Sequence, residues 1–219
     1  MKWLALLALW PTLAFANETY ADHASRWAWQ WSPGTAKPVQ MKHGFGISIP
    51  TYNGPLPCKS DQSCASAHYL VTDPIRPLVG AKSITVSGRI WFTGKPVLHW
   101  QTEPANHGSE PAAFHIYFQR RGDNWTGKNQ TEFFRWWSNP GKVVIKPGPF
   151  TLTVPLRYGK WSSVQGYKTT GAALQGFRAA MANPGKIGMT FGGGWFFGHG
   201  LNVRGGHVTI GITKFQVVR

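Results

Sequence analysis

The stretch that decides the fold is Ser83-Ile84-Thr85-Val86-Ser87-Gly88-Arg89-Ile90-Trp91-Phe92. Its apolar residues recur at every second position. Ile84, Val86, Ile90 and Phe92 share one face with Gly88, while Thr85, Ser87, Arg89 and Trp91 share the other. A period of two belongs to a β-strand with one face on a core and the other turned away from it. The pattern returns in residues 113–121, where Phe114, Ile116 and Phe118 alternate with His115, Tyr117, Gln119 and Arg121. It returns again where Phe150, Leu152 and Val154 alternate with Thr151 and Thr153, and where Val208, Ile210 and Ile212 alternate with Thr209 and Thr213. Phe215 and Val217 continue that last strand one residue out of phase, which predicts a β-bulge. Residues 131–137 read as a further strand, aromatic on both faces.

Gly and Pro interrupt these runs often, as in sandwiches and barrels. Only residues 174–183 read as a helix, with Leu174, Phe177 and Met181 spaced three and four apart and Asn183-Pro184-Gly185 ending it. The expected fold is therefore all-β: an antiparallel β-sandwich or jelly roll with one short helix near 174–183. The 219 residues are within the size of a single all-β domain. The expected division is a signal peptide over 1–16, a Trp-rich arm and disulfide loop over 17–67 packing on the domain, and the sandwich proper over 68–219.

Met1-Lys2 followed by an apolar run to Phe15 and the small-x-small triplet Ala14-Phe15-Ala16 has the form of a cleaved export signal. The run is shorter than the roughly 20 residues a membrane-spanning helix needs, and no later stretch reaches that length without a charge, Gly or Pro. The expected location is secreted or periplasmic, with no transmembrane segment once the signal is removed. In such an oxidising compartment Cys58 and Cys64, the only two cysteines, are expected to form one structural disulfide. Closing a loop of about seven residues would contribute roughly 2.4 kcal/mol.

The chain carries 23 Lys+Arg against 8 Asp+Glu, a net charge of +15, so its partner is expected to be acidic. Export directs it away from intracellular nucleic acid. The eight His show no metal-ligand spacing, and few acids are available to complete a metal shell, so no metal and no cofactor is expected. No Gly-x-Ser-x-Gly elbow and no paired acids on a strand are present, which leaves classical hydrolysis without its machinery.

The order of elements from His68 onward, with the Pro77-Leu78-Val79-Gly80 turn, a long strand, paired central strands and a closing Gly-rich hairpin, is similar to galactose-binding-like jelly-roll domains. That is the fold of many carbohydrate-binding modules. The blocks Phe118-Gln-Arg-Arg-Gly-Asp-Asn-Trp125 and Phe191-Gly-Gly-Gly-Trp-Phe-Phe-Gly-His-Gly200 also look like segments of uncharacterised exported bacterial proteins. The resemblance implies a β-sandwich and a glycan ligand, and it transfers no particular binding residue.

Those residues are read from the non-core face of the strands. Arg89 and Trp91, then His115, Tyr117, Gln119 and Arg121, then Arg135 and Trp137, share that kind of face, with Trp125 in the turn that follows residue 121. Sugar rings stack on aromatic rings, and Arg, His and Gln bond hydroxyls or carboxylates. The expected function is non-catalytic binding of an acidic or cell-envelope polysaccharide. Two alternatives accompany it. One is a polysaccharide lyase that would use His115 and Tyr117 in β-elimination on uronate polymers. The other is a basic envelope or adhesion protein that binds anionic polymers by charge.

Overall fold

The computed structural model describes residues 16–55, 64–100, 111–164, 166, 170–193 and 198–219. Residues 1–15 of the expected leader lie outside these, as does Cys58 of the expected bridge; Cys64 is buried. The strands are β1 (Glu18–Thr19), β2 (Ala28–Gln30), β3 (Val39–Gln40), β4 (Phe45–Ile49), β5 (Tyr69–Thr72), β6 (Ser83–Trp100), β7 (Ala112–Arg120), β8 (Arg135–Val144), β9 (Gly148–Pro155), β10 (Trp161–Ser162), β11 (Pro184–Gly193) and β12 (Leu201–Val218). A single α-helix, α1 (Gly171–Ala182), joins them among the described residues.

The strands form two antiparallel sheets that pack face to face, so the expected all-β sandwich is the observed fold. The first sheet runs β3-β4-β12-β6-β9, with β1 also pairing to β12. The second runs β10-β8-β7-β11-β5-β2. The alternation read from the sequence decides which side chains go between them. Ile84, Val86 and Ile90 of β6 and Val208, Ile210 and Ile212 of β12 enter the core from the first sheet. Phe114, Ile116 and Phe118 of β7 meet them from the second, with Ile187, Met189 and Phe191 of β11. Burying a side chain of this kind stabilises the fold by about 1.5–3 kcal/mol.

The phase shift in β12 is a bulge: its pairing with β6 slips between Ile212 and Lys214, which returns Phe215 and Val217 to the core side. Helix α1 begins one turn earlier than its apolar spacing indicates. Thr170 caps it by accepting from the Ala173 N–H at 3.2 Å. Ala173, Phe177, Ala180 and Met181 are its buried side.

Two expectations are corrected. Residues 131–137 are not one strand. Asn129–Thr131 is a 3₁₀ turn entered through Asn129 at φ +55°, and β8 starts only at Arg135. Aromatic residues on both faces look the same in a strand and in a folded-back turn, which is why the sequence pattern misleads there. Residues 17–67 also do more than pack on a finished sandwich. They supply β1 to β4, and β4 lies inside the first sheet between β3 and β12.

Candidate functional site

The nine residues expected on one binding face stand on opposite sides of the molecule. Arg89 and Trp91 belong to β6 and face outward from the first sheet, alternating with core residues Ile90 and Val86. His115, Tyr117 and Gln119 of β7 and Arg135 and Trp137 of β8 face outward from the second sheet. Arg121 lies exposed just past β7, and Trp125 is half-buried in the following turn. Alternation along a strand assigns a side chain to the core or the outer face. It carries no information about which sheet the strand joins, so it merged two faces into one.

A second correction concerns exposure. His115, Tyr117, Gln119, Arg135 and Trp137 are all buried. Tyr69, Val71, Tyr117 and Trp137 form a hydrophobic cluster, mostly aromatic, separate from the main core, on the outer side of the second sheet, and Trp125 packs on it. The rings meet edge-on or tilted, Tyr69 to Tyr117 at 5.2 Å, Tyr69 to Trp125 at 5.1 Å and Tyr117 to Trp137 at 5.5 Å. Trp31, which follows β2, reaches Trp125 at 5.9 Å. The N-terminal segment and the turn after β7 therefore cover this face together.

The polar groups under that cover are tightly placed. Arg135 Nε stands 3.0 Å from Asp123 Oδ2, with both side chains nearly sealed from water, and its guanidinium lies 5.3 Å from the Trp125 ring centre. Asp123 also accepts the Trp125 N–H at 2.9 Å, so it holds the turn as well as the Arg. Burial pushes the Asp123 carboxyl above its ordinary range, against the pull of Arg135. Burial likewise raises Tyr117, whose hydroxyl donates to Gln119 Oε1 at 2.6 Å. His115 is pushed down to about 4 by burial, despite its bond to the Ser138 carbonyl at 2.9 Å. Because a carbonyl accepts only, Nδ1 carries the proton and the imidazole is neutral at pH 7.

The outer face of the first sheet is open. Trp91 is 42% exposed although it lies in the middle of a long strand. Gly211, on β12 opposite Arg89, explains how its ring is seated: a Cβ at Gly211 would stand 2.8 Å and 2.9 Å from two carbons of that ring. The absent side chain lets the indole lie down on the sheet with its other side toward water. Exposed Met41 covers Gly46 next to it, the sulfur 3.2 Å from where a Cβ would be. Thr209 is the cross-strand partner of Trp91, and exposed His207 pairs with Thr93 beside it. Strands β3, β4, β6, β9 and β12 contain no Asp or Glu, while Arg89, Lys95 and Lys214 on them are exposed. The face is aromatic and positive.

Sequence reasoning overlooked Gly211, Met41 and Tyr69, whereas an Arg partner for Asp123 was one of its readings and is found in Arg135. The signal for Gly211 was available, since a glycine between Ile210 and Ile212 marks a close approach in a strand. Tyr69-Leu70-Val71-Thr72 is buried on both faces and shows no alternation to read. Among the described residues no group of three or more His, Cys, Asp or Glu is placed to hold a metal, and no helix is long and apolar enough to cross a membrane. No family model matches the chain, and neither the curated proteins nor the solved structures contain a match to it.

Proposed function

We propose that this is an exported, secreted or periplasmic, non-catalytic carbohydrate-binding protein. Its ligand is an acidic polysaccharide of the cell envelope or surroundings, held on the outer face of the first sheet. The observation that carries the reading is the Trp91 ring laid on Gly211, with its free side to solvent and Arg89 two residues away on the same face. A sugar ring presents C–H groups that stack on such an indole, and a uronate or other acidic substituent pairs with the guanidinium. The lack of carboxylates on the surrounding strands removes the repulsion an acidic polymer would meet. The similarity of element order to galactose-binding-like modules supports the same reading.

Binding is preferred to β-elimination because the residues a lyase would use are occupied. Tyr117 is fully buried and donates to Gln119, and His115 is buried and bonded to Ser138. The test is an array of neutral and acidic glycans, probed at low and physiological salt, with each hit checked for new unsaturated ends. An acidic glycan is expected to bind at both salts, without new ends, and to bind several-fold more weakly to Trp91→Ala at unchanged melting temperature. Equal binding by Trp91→Ala refutes the platform. Binding lost entirely at physiological salt, to every acidic polymer alike, leaves charge as the whole interaction.

A further inference from the structure

We propose, resting on the glycan-binding reading above, that the ligand held at Trp91 is an acidic glycan whose sugars carry acetyl groups. Met41 and Val39 select it by seating the acetyl methyl. Exposed apolar side chains scattered singly are ordinary, whereas several together on one face mark a contact surface. Met41 is 39% exposed and Val39 is 65% exposed, and both lie on the outer face of the first sheet with Trp91.

The pairing register builds this row. Arg89 of β6 is paired with Gly211 of β12, Gly211 with Gly46 of β4, and Gly46 with Val39 of β3. Directly paired residues point to the same side of a sheet, so Val39 lies on the side of Arg89 and away from the core residues Phe45, Ile210 and Ile212. The space over the two glycines is filled from beside them. The Trp91 ring lies over Gly211, and the Met41 sulfur stands 3.2 Å from the Cβ position of Gly46 and 3.6 Å from that of Gly211. The thioether and the indole are therefore neighbours, with Val39 two residues before Met41 in the chain.

From β6 to β3 the face passes from a cation through a ring to two apolar side chains. Three strand spacings separate its ends, about 14 Å, which is more than one sugar ring covers. Linked sugars lying across the strands would set a carboxylate on Arg89, a ring on Trp91 and an apolar substituent on Met41 and Val39. An unsubstituted uronate chain would set hydroxyls against those two side chains, and burying them there is unfavourable. An acetyl group, as ester or amide, supplies a methyl instead, and the flexible thioether adapts to it. A lipid surface is the weaker match. Side chains that anchor in one reach about 5–10 Å into the headgroup boundary, whereas the Trp91 ring lies back against the sheet.

The experiment is calorimetric titration at physiological salt with two pairs of polymers. One pair is O-acetylated polymannuronate before and after mild alkaline removal of its esters, which leaves the carboxylates unchanged. The other is hyaluronan, with its N-acetyl groups, against unacetylated polyglucuronate. In at least one pair the acetylated polymer is expected to bind about fourfold more tightly, the effect of burying one methyl. Preference in the first pair alone identifies the ester, and in the second alone the amide. The ratio is expected to fall to about one in Met41→Gln and in Val39→Thr, and to be kept in Met41→Leu, which stays apolar. Should Met41→Gln not fold, Val39→Thr decides. Equal binding within both pairs, or a ratio unchanged in a folded Met41→Gln or in Val39→Thr, overturns the acetyl assignment. If Trp91→Ala still weakens binding in that case, the binding reading stands without it. No binding by any of the four polymers overturns both. Binding to phosphatidylglycerol vesicles that Met41→Gln weakens, without preference for acetylated chains, overturns the acetyl assignment in favour of a lipid surface.

Discussion

Substituting Gly211→Ala separates the seat of Trp91 from the ring itself. The added Cβ would lie 2.8 Å from one carbon of the Trp91 ring and 2.9 Å from another, against about 3.5–4.0 Å for an unstrained carbon contact. The ring must therefore move by roughly 0.7 Å or more, or turn off the sheet. Trp91 is 42% exposed, so it can swing outward without disturbing the core. The backbone favours the change, because Gly in a strand costs about 0.5–1 kcal/mol relative to Ala. Loss of the ring's contact with the sheet offsets that gain, and the melting temperature is expected to stay within a few degrees of the parent. Binding behaves differently. If the flat ring contributes a stacking contact of about 0.5–1.5 kcal/mol, tilting it weakens the affinity for an acidic glycan by roughly 2- to 13-fold. Thermal unfolding and calorimetric titration with the same glycan measure the two quantities side by side. Unchanged affinity in Gly211→Ala, alongside a loss in Trp91→Ala, would show that the seat is irrelevant. Collapse of the fold in Gly211→Ala would show that Trp91 is core, and the platform argument would fail.

Two further expectations concern stability. The folded-state pKa of His115, about 4, lies below its unfolded value of 6.5, so between these limits the unfolded chain binds the proton first. Stability contributed by neutral His115 is thus fully present above pH 6.5 and is lost as pH falls toward 4, by roughly 3 kcal/mol in all. His115→Gln should flatten that part of the curve of urea midpoint against pH, and an unchanged curve would place the acid sensitivity elsewhere. Glu18 of β1 is buried beside the C-terminal residue, Arg219. It accepts Arg76 Nε at 2.9 Å, Arg219 Nε at 2.6 Å and the Tyr20 hydroxyl at 2.7 Å. Glu18→Gln leaves the guanidinium groups without their counter-charge and should cost about 3 kcal/mol by urea unfolding. A loss below the scatter of such measurements would mean that water replaces the carboxylate.

The sequence by itself determined the class of fold, the helix, the bulge and the core side of β6, β7, β9 and β12. These depend on the period of apolar residues along a single strand, and Ile84 to Ile90 or Val208 to Val217 carry that period whatever surrounds them. It also supplied the side chains of both candidate faces. Which sheet a strand joins is a different kind of fact. β6 pairs with β12 and β7 pairs with β11, across sequence distances over which no local pattern extends. Only that pairing showed that Arg89 and Trp91 lie on one side of the molecule and His115, Tyr117, Arg135 and Trp137 on the other. Exposure likewise was decided in three dimensions. Tyr117 and Trp91 sit at equivalent outward positions in their strands, yet one is sealed beneath Trp125 and the other rests open on Gly211. Whether an outward ring meets water depends on which distant segment folds over it, and that segment is fixed by the packing of the whole chain.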